Sequence, residues 1–348
     1  MAPQPVIRVV GSLNIDFVTR TPRVPGPGET LQATSLTVHA GGKGANQAVA
    51  CGKAAFISQT QQDVTVDMIG AVGKGDPYYA SLLKPTLEKS GVSTTGVEEI
   101  EGVQTGTATI IVDEGSGGEN RILVVPGANH EVKDLEQLLS VVTRKGDPDV
   151  MVLQGEICRL MVLALLNLFN APERHTCIVF NPAPVFSEGI PIEALQSLGV
   201  LVVNETECLL LFKVVEELNG VEVPREEDLD KAHLDRLTKH LHDLARISII
   251  VVTLGSRGVY YSTDISGQDG FVQNRGLVPA VKVKQVVDTT AAGDTFVGYF
   301  ATALARHLAA THELAGFDVA GAVSKANKAA ARCVQRNGAM ESIPFGYE

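Results

Sequence analysis

The sequence contains no tryptophan, and only 5% of its 348 residues are aromatic. Its cysteines are also few, and they form no Cys-x-x-Cys pair: Cys51, Cys158, Cys177, Cys208 and Cys333. An odd, scattered set argues against a disulfide framework or a zinc site and favours a reducing compartment. We interpret His240 and His242, which lie in a charged helical stretch, as a solvated face rather than a metal site. The cytoplasm is the expected location, with the nucleus left open.

Basic residues are outnumbered. There are 29 Lys and Arg residues against 40 Asp and Glu residues, which gives a formal net charge of −11. Because nucleic-acid-binding proteins usually carry a basic face, nucleic acid is not an expected partner. The longest apolar runs, near 160–169 and 247–254, are far shorter than the ~20 residues of a membrane span. An acidic chain can still bind an anionic small molecule through a few lysines or backbone amides.

Apolar runs of strand length alternate regularly with helical patterns. Several of the runs are continuous Val, Ile and Leu, which is typical of parallel strands buried on both faces. The alternation predicts an α/β fold with helices on both faces of a mostly parallel sheet. The predicted strands are 6–10, 64–69, 150–153, 176–180, 200–203 and 249–253, and the predicted helices are 44–53, 76–90, 132–143, 159–170, 205–217, 228–246, 294–309 and 318–335.

Two further regions have strand character without intervening helices. Residues 30–38 are predicted to be extended, and residues 107–112 and 120–125 form a predicted hairpin around the glycine-rich turn 114–118. They predict a small sheet that projects from a single domain spanning 1–348, with its strands within about 15–40 and 103–127. Such a sheet could close over a ligand as a lid. An ordinary edge hairpin is the alternative.

Residues 286–300 carry the most specific chemical signal. Val281-Lys282-Val283-Lys284 alternates and, with Val286-Val287, predicts a strand, while helical spacing begins near Phe296. Ala291-Ala292-Gly293 and then Asp294 lie between them. Small residues allow close backbone approach, and amides at a helix N-terminus attract anions. Asp294 is therefore suited to accept a proton from a hydroxyl that attacks phosphorus, although a simple N-cap is the alternative.

A glycine-rich loop, Gly41-Gly42-Lys43-Gly44-Ala45-Asn46-Gln47-Ala48, opens the first predicted helix. It matches neither the Gly-x4-Gly-Lys-Ser/Thr phosphate loop nor the dinucleotide fingerprint. Lys43 and Asn46 offer donors on a short arc, which favours a polyol-binding loop over tight-turn packing.

Polar residues also follow several predicted strands. In open parallel sheets, ligands bind beyond the carboxyl ends of the strands, so these sites are expected on one face. Asn204 and Glu207 are alternatively a capping box, and residues 253–258 are alternatively a hairpin turn. Asn14, Asp16 and Glu156 are the other polar residues that lie at or after the ends of predicted strands.

Together these motifs resemble the ribokinase-like (PfkB) family of sugar kinases, essentially from end to end. The matching segments are Gly11-Ser12-Leu13-Asn14-Ile15-Asp16, 27–30, 41–48, Gly127-Ala128-Asn129, Asn181-Pro182-Ala183-Pro184, 204–207, 253–258 and 288–296. The resemblance implies a three-layer α/β/α sandwich with a β-sheet lid and a homodimer formed through that lid. It also implies ATP-dependent phosphorylation of D-ribose at its 5-hydroxyl.

The resemblance assigns roles residue by residue, with Asp294 as the general base. Sugar contacts are Asn14, Asp16, Gly42, Lys43, Asn46, Glu156 and Asp294. Nucleotide contacts are Asn204, Thr253, Leu254, Gly255, Ser256, Arg257, Gly258, Gly293, Asp294 and Asn327, and the anion hole is formed at Ala291, Ala292 and Gly293. Glu207 would hold Mg²⁺ through water. A potassium-type cation would be held by Asp288, Thr290, Cys333, Arg336, Gly338 and Ser342.

Other functions compete with this hypothesis. A different kinase of the family could act on fructose, deoxyribose or a nucleoside such as adenosine. A sugar-binding regulator without catalysis is a second alternative, which the intact Asp294 disfavours. A nicotinamide oxidoreductase is the third, and the missing dinucleotide fingerprint disfavours it.

Overall fold

The computed structural model describes residues 4–117, 119–267 and 270–348. Gly118, in the predicted hairpin turn, lies outside them. The strands of the described residues are β1 (Val6–Val10), β2 (Asn14–Thr21), β3 (Ser35–Gly41), β4 (Phe56–Ser58), β5 (Gln61–Gln62), β6 (Thr65–Gly73), β7 (Val92–Ile100), β8 (Gly106–Asp113), β9 (Glu119–Val125), β10 (Val150–Gln154), β11 (Cys177–Asn181), β12 (Val200–Asn204), β13 (Ile249–Thr253), β14 (Val259–Gly267) and β15 (Gly270–Val278).

Within the described residues, nine strands form the main sheet, in the order β15-β14-β13-β12-β11-β10-β1-β6-β7. The pairs from β7 to β13 are parallel, and the edge hairpin β14–β15 continues the sheet antiparallel. Side chains alternate between two apolar cores, because Val9 and Val152 belong to one and Val10 and Leu153 to the other. Burial on both faces explains the continuous apolar runs in the sequence.

Helices cover both faces of the main sheet. They are α1 (Lys43–Ala55), α2 (Lys84–Lys89), α3 (Leu135–Val142), α4 (Arg159–Phe169), α5 (Ile192–Leu195), α6 (Glu205–Val214), α7 (Lys231–Ala245), α8 (Ala292–Thr311) and α9 (Val319–Cys333). Side chains of α1, α8 and α9 fill one core, and side chains of α3 to α7 fill the other. The predicted three-layer α/β/α fold is confirmed. No helix among the described residues has the length and apolarity needed to cross a bilayer.

The remaining long strands form a second, four-stranded sheet in the order β3-β2-β8-β9, here called the small sheet. Its β2–β8 pair is parallel, and the other two pairs are antiparallel. The strand β2 starts at Asn14, four residues after β1 ends, so the base of the small sheet lies close to the carboxyl end of β1. The outer strand β9 is exposed at every position.

Two sequence-based predictions are wrong. Residues 281–287 do not form a strand; Val281, Val286 and Val287 are largely exposed, and the amide of Val287 donates to the carbonyl of Val334 at the end of α9. His242 does not lie on a solvated face. It is buried, and its ring bridges the carbonyl of Ile247 (2.6 Å) and the hydroxyl of Ser262 (2.9 Å), two partners that hydropathy patterns cannot reveal.

Candidate active site

Asp294 lies in the first turn of α8 and is buried. The helix cap is Ala291, in the left-handed conformation (φ 59°), so Asp294 is not the N-cap considered as an alternative. The first intrahelical bond runs from the amide of Thr295 to the carbonyl of Ala291 (2.8 Å). The amides of Gly293 and Asp294 precede it, at the positive end of the helix. An ideal Cβ on Gly293 would meet open space, which gives a ligand room to approach.

Two side chains of α1 hold the Asp294 carboxylate. The amide of Asn46 donates to Oδ2 (3.0 Å), and the amide of Gln47 donates to Oδ1 (2.9 Å). Tight packing of α1 on α8 brings these groups together, because a Cβ on Gly298 would lie 2.3 Å from the Cβ of Ala50. The glycine one turn after Asp294 thus allows the helix contact that orients its carboxylate. Oδ1 of Asn46 is buried without a partner among the described residues and points to a missing donor.

Gln47 belongs to a buried amide network beneath Asp294. Its Nε2 also contacts Oδ1 of Asn181 (3.0 Å), and its Oε1 accepts from Nε2 of Gln154 (2.8 Å). Asn181 in turn donates to the carbonyl of Val202 (2.9 Å). Gln154 and Asn181 are the last residues of β10 and β11, so neighbouring strand ends support α1 directly. Gln47 and Asn181 both belong to sequence motifs, but neither had a predicted role of its own.

The glycine-rich loop is packed against the first strand end. A Cβ on Gly44 would lie 2.4 Å from the amide of Ser12, and Gly42 has a φ of 91°, which favours glycine. Glu156 ties the same region together, because its Oε2 accepts from the Ser12 hydroxyl (2.5 Å) and the Lys43 amide (2.9 Å). Tight-turn packing, the alternative considered for this loop, is therefore present, and it places Lys43 and Asn46 at the site.

Asp16 brings a second carboxyl group into this region from the small sheet. Burial raises its pKa to about 7, with further contributions from the negative charges of Glu156 and Asp294. Burial lowers the pKa of Lys43, but Asp294, Glu156 and Glu207 outweigh this and raise it. The site therefore combines one half-buried ammonium with several carboxyl groups. Polyhydroxylated ligands suit such a mixture, since each hydroxyl both donates and accepts.

Asn14 is also buried here, and its Oδ1 accepts from Nδ2 of Asn129 (2.8 Å). Asn129 binds the backbone of the segment as well, since its Oδ1 accepts from the Leu13 amide (2.9 Å). Asn129 therefore fixes the orientation of Asn14, a role that sequence reasoning missed. Its place in the quoted Gly127-Ala128-Asn129 motif was the available signal.

Asn204 and Glu207 form the capping box of α6. The Glu207 amide donates to Oδ1 of Asn204 (2.7 Å), and Oε2 of Glu207 accepts from the Asn204 amide (2.9 Å). Burial raises the pKa of Glu207, with Lys43 opposing and Asp294 reinforcing the change. The helix α6 follows β12, the neighbour of β11 in the main sheet, so Glu207 lies at the same edge of the sheet as Asn181. Oε1 of Glu207 takes no part in the capping box.

Most of the predicted nucleotide contacts lie at the β13–β14 connection; Asn327 lies on α9, and Asn204, Gly293 and Asp294 lie at the starts of α6 and α8. Thr253 to Val259 is the antiparallel hairpin considered as an alternative, closed by the turn Gly255–Arg257. Gly258 has a φ of 104°, and a Cβ there would lie 2.1 Å from the carbonyl of Val278. The side chain of Arg257 binds Glu205 and the carbonyl of Leu229.

Three further predicted nucleotide contacts are Leu254, Ser256 and Asn327. Leu254 is buried and Ser256 is exposed in the turn. The amide of Asn327 on α9 donates to the carbonyl of Pro279 (2.9 Å), so it is tied to the segment that follows β15.

The predicted cation ligands gather beside the start of α8. Asp288 accepts from the amides of Thr290 (2.9 Å) and Gly338 (3.1 Å). The thiol of Cys333 lies 3.6 Å from the Thr290 carbonyl and 3.0 Å from the Ser342 hydroxyl. Carbonyl, hydroxyl and carboxylate oxygens suit a monovalent cation such as K⁺. Arg336 instead pairs with Glu348, so only its backbone carbonyl fits a cation.

Comparison with known proteins agrees with this geometry. The model of the pfkB family of carbohydrate kinases matches residues 5–345. A ribokinase from Schizosaccharomyces pombe is 35% identical over 97% of this chain and 94% of its own. The crystal structure of ribokinase from Thermotoga maritima superposes with a TM-score of 0.75 and 32% identity, covering 99% of this chain and 97% of that one.

A plant structure is similar as well. Ribokinase from Arabidopsis thaliana complexed with ribose and ATP has a TM-score of 0.77 at 26% identity, and the match covers 99% of this chain and 97% of that one. The family resemblance inferred from the motifs is thereby confirmed. The chain belongs to the pfkB family of carbohydrate kinases.

Proposed function

We propose that this protein transfers the γ-phosphoryl group of ATP to O5 of D-ribose, giving D-ribose 5-phosphate. The observation that carries the proposal is the buried Asp294 carboxylate at the N-terminus of α8, which is held by the side-chain amides of Asn46 and Gln47 on α1. The similar S. pombe protein is a ribokinase, and the similar A. thaliana structure contains ribose and ATP. Ribose would contact Asn14, Asp16, Gly42, Lys43, Asn46 and Glu156.

In this mechanism Asp294 accepts the O5 proton as that oxygen attacks the γ-phosphorus. General-base catalysis requires a carboxylate that is fixed in direction, and the donors Asn46 and Gln47 hold it in one orientation. The attacking hydroxyl then replaces neither hydrogen bond, because each carboxylate oxygen has two lone pairs. The unpartnered Oδ1 of Asn46 is suited to accept from a second sugar hydroxyl.

The amides at the start of α8 stabilise the charge that develops on the transferred group. A well-placed donor of this kind contributes about 3–4 kcal/mol. Ala291, Ala292 and Gly293 carry no side chain larger than a methyl group, so phosphate oxygens can reach the backbone. Phosphoryl transfer needs such positioning and charge stabilisation more than covalent help.

Two cations complete the proposal. Mg²⁺ bound with ATP would neutralise phosphate charge, and Glu207 would hold it through water. A potassium-type ion would be held by oxygens of Asp288, Thr290 and Ser342 and by backbone carbonyls of Cys333, Arg336 and Gly338. It would stabilise the turn that leads into the anion hole. No cluster of three His, Cys, Asp or Glu side chains suited to a metal occurs in the part of the chain that the structure describes.

A coupled assay of ADP release over a sugar panel tests the proposal. D-ribose is expected to give the highest kcat/KM, above 2-deoxyribose, fructose and adenosine, and K⁺ in place of choline should increase the rate. A higher kcat/KM with another substrate would assign the chain to that kinase activity instead. Sugar binding without ADP release from any substrate would support a non-catalytic regulator.

We also propose that the protein is a homodimer formed through the small sheet acting as a lid. The edge strand β9 exposes Ile122, Leu123, Val124 and Val125, and β3 exposes Leu36. An exposed apolar edge of this kind is normally covered by pairing. Light scattering at micromolar concentration should give the mass of two chains.

A further inference from the structure

Lys53 is a buried cation that the mechanism above does not use. It lies near the C-terminal end of α1, and only 7% of it is exposed. Its ammonium donates to the carbonyls of Met340 (2.7 Å) and Ile343 (2.9 Å) and lies 5.1 Å from the centre of the Phe345 ring. A buried ammonium is costly unless it is paired, so its contacts require a structural reason.

The two carbonyls lie on either side of Ser342. That residue is fully buried; its hydroxyl donates to the Ala339 carbonyl (2.7 Å) and lies 3.0 Å from the thiol of Cys333. Lys53 thus fixes two peptide groups of residues 338–343, here called the C-terminal strap. The same strap contains Gly338, whose backbone amide donates a hydrogen bond to the Asp288 carboxylate (3.1 Å).

The end of α1 also binds the residues that directly follow the C-terminal strap. The Gly346 amide donates to the Lys53 carbonyl (2.8 Å), and a Cβ on Gly346 would lie 2.7 Å from the carbonyl of Ala54. Phe345 packs edge-on against Phe56, with ring centres 5.4 Å apart. The chain therefore runs closely along the end of α1 here, and Lys53 is the charged group in that contact.

We infer that Lys53 is a positioning residue for the monovalent-cation site, because its ammonium holds the strap that carries Gly338 and Ser342 against Asp288 and Thr290. This inference rests on the cation site of the proposed function. Burial lowers the pKa of Lys53 to about 8, with Glu341 and Glu348 opposing this change, so the ammonium is charged at neutral pH. Lys53 touches neither sugar nor nucleotide in this assignment and acts only through the strap.

The test compares Lys53→Met, which keeps the aliphatic length and removes the donors, with Lys53→Arg, which keeps charge and donors. Arg306→Met is the matched control. Arg306 binds the same end of α1 through the Ala54 carbonyl (3.0 Å), and it also pairs with Asp63. It has no recorded bond to the strap among the described residues. The first readout is the rise in Tm when K⁺ replaces choline at constant ionic strength, without substrates. The second is the K⁺ concentration for half-maximal activity, beside the KM for ribose.

We expect Lys53→Met to lose most of the K⁺-dependent rise in Tm and to need about tenfold more K⁺, with the ribose KM within about twofold of wild type. Lys53→Arg should restore most of the K⁺-dependent rise in Tm. Arg306→Met should lower Tm itself but keep the K⁺-dependent rise. If Lys53→Met does not fold, Lys53→Gln, which retains one donor, replaces it. A K⁺ response equal to wild type in the variant overturns the role of Lys53 alone. A wild-type kinase indifferent to K⁺ overturns the cation site together with this role.

Discussion

The two sheets differ most at their strands β10 and β9. Every residue of β10 is buried, whereas every residue of β9 is exposed. Asp294 is supported entirely from the buried side: α1 supplies both donors, and the ends of β10 and β11 support α1. Asp16 comes from the small sheet and meets Asp294 only across the site.

The buried and the exposed environments correspond to two different requirements of phosphoryl transfer. The base must keep one direction, which a close-packed core with a satisfied polar network provides. The sugar must enter and leave, which requires a wall with few buried contacts. Asp294, the proposed proton acceptor, lies in the first environment, whereas Asn14 and Asp16 lie at the base of the small sheet, whose outer strand β9 is exposed.

Asp294→Asn should have the largest effect. The substitution keeps the size of the side chain and its packing but removes the proton acceptor, so kcat should fall by about 10³-fold or more. Ribose affinity, measured by titration calorimetry, should stay within about threefold of wild type. A variant that retains more than about a tenth of the wild-type kcat would remove Asp294 from the base role.

Gln47→Leu tests the support beneath the base. It leaves Oδ1 of Asp294 without its donor and Nε2 of Gln154 without its acceptor, and each such buried group costs about 1–3 kcal/mol. We expect a loss of about 3 kcal/mol in the free energy of unfolding and at least a tenfold fall in kcat.

Gln62→Leu is the control for that substitution. Gln62 also makes two hydrogen bonds, to the carbonyls of Gly52 (3.1 Å) and Gly91 (3.2 Å), but no recorded contact links it to Asp294 in the described residues. It should lower stability and leave kcat unchanged. Equal kcat values for the two variants would show that the network stabilises the fold without orienting the base.

The sequence predicted the buried half of the molecule well because two strong patterns define it. Continuous apolar runs located β1, β10, β11, β12 and β13 within about two residues, since burial on both faces leaves little choice of residue type. The small residues before Asp294 located the helix start because they leave backbone amides accessible. Both signals are local in sequence.

What the sequence could not predict depends on distant partners. The lysine–valine alternation at 281–284 resembles a strand, but the Val287 amide bonds to Val334 instead of a neighbouring strand. The roles of Gln47 and Asn129 arise from partners more than 100 residues away. The contact of Lys53 with the C-terminal strap spans 287 residues to Met340. A motif in a single sequence can mark one member of such a pair, as it does for Gln47 and Asn129, but it does not show which distant residue is the partner.

Asp16 lies where the small sheet meets the main sheet, and its environment there can be tested through the pH dependence of stability. A pKa raised from 3.8 to about 7 means that the folded protein favours the protonated form. Asp16 therefore stabilises the free protein fully below pH 3.8, and this contribution is lost as pH rises through 7.

Asp16→Asn removes that dependence. Without ligands, the variant should gain stability relative to wild type as pH rises from 4 to 8, by on the order of 4 kcal/mol, since the raised pKa spans about three units of this range and one pKa unit corresponds to about 1.4 kcal/mol. Urea unfolding at pH 4, 6 and 8 measures the difference. A constant difference across this range would show that Asp16 is ionised and solvated in the free protein.

A substitution on the exposed strand β9 should have the smallest effect on the stability of one subunit. Leu123→Lys places a charge on β9, where the native side chain is 66% exposed, and Leu160→Lys makes the same change on α4 at 65% exposure. Each should change the free energy of unfolding of a subunit by about 0.5 kcal/mol or less. Only Leu123→Lys should convert a dimer to a monomer in light scattering, because only β9 belongs to the proposed interface. If both variants remain dimeric, a surface other than the edge of the small sheet joins the subunits, and the exposure of β9 serves the movement of the lid instead.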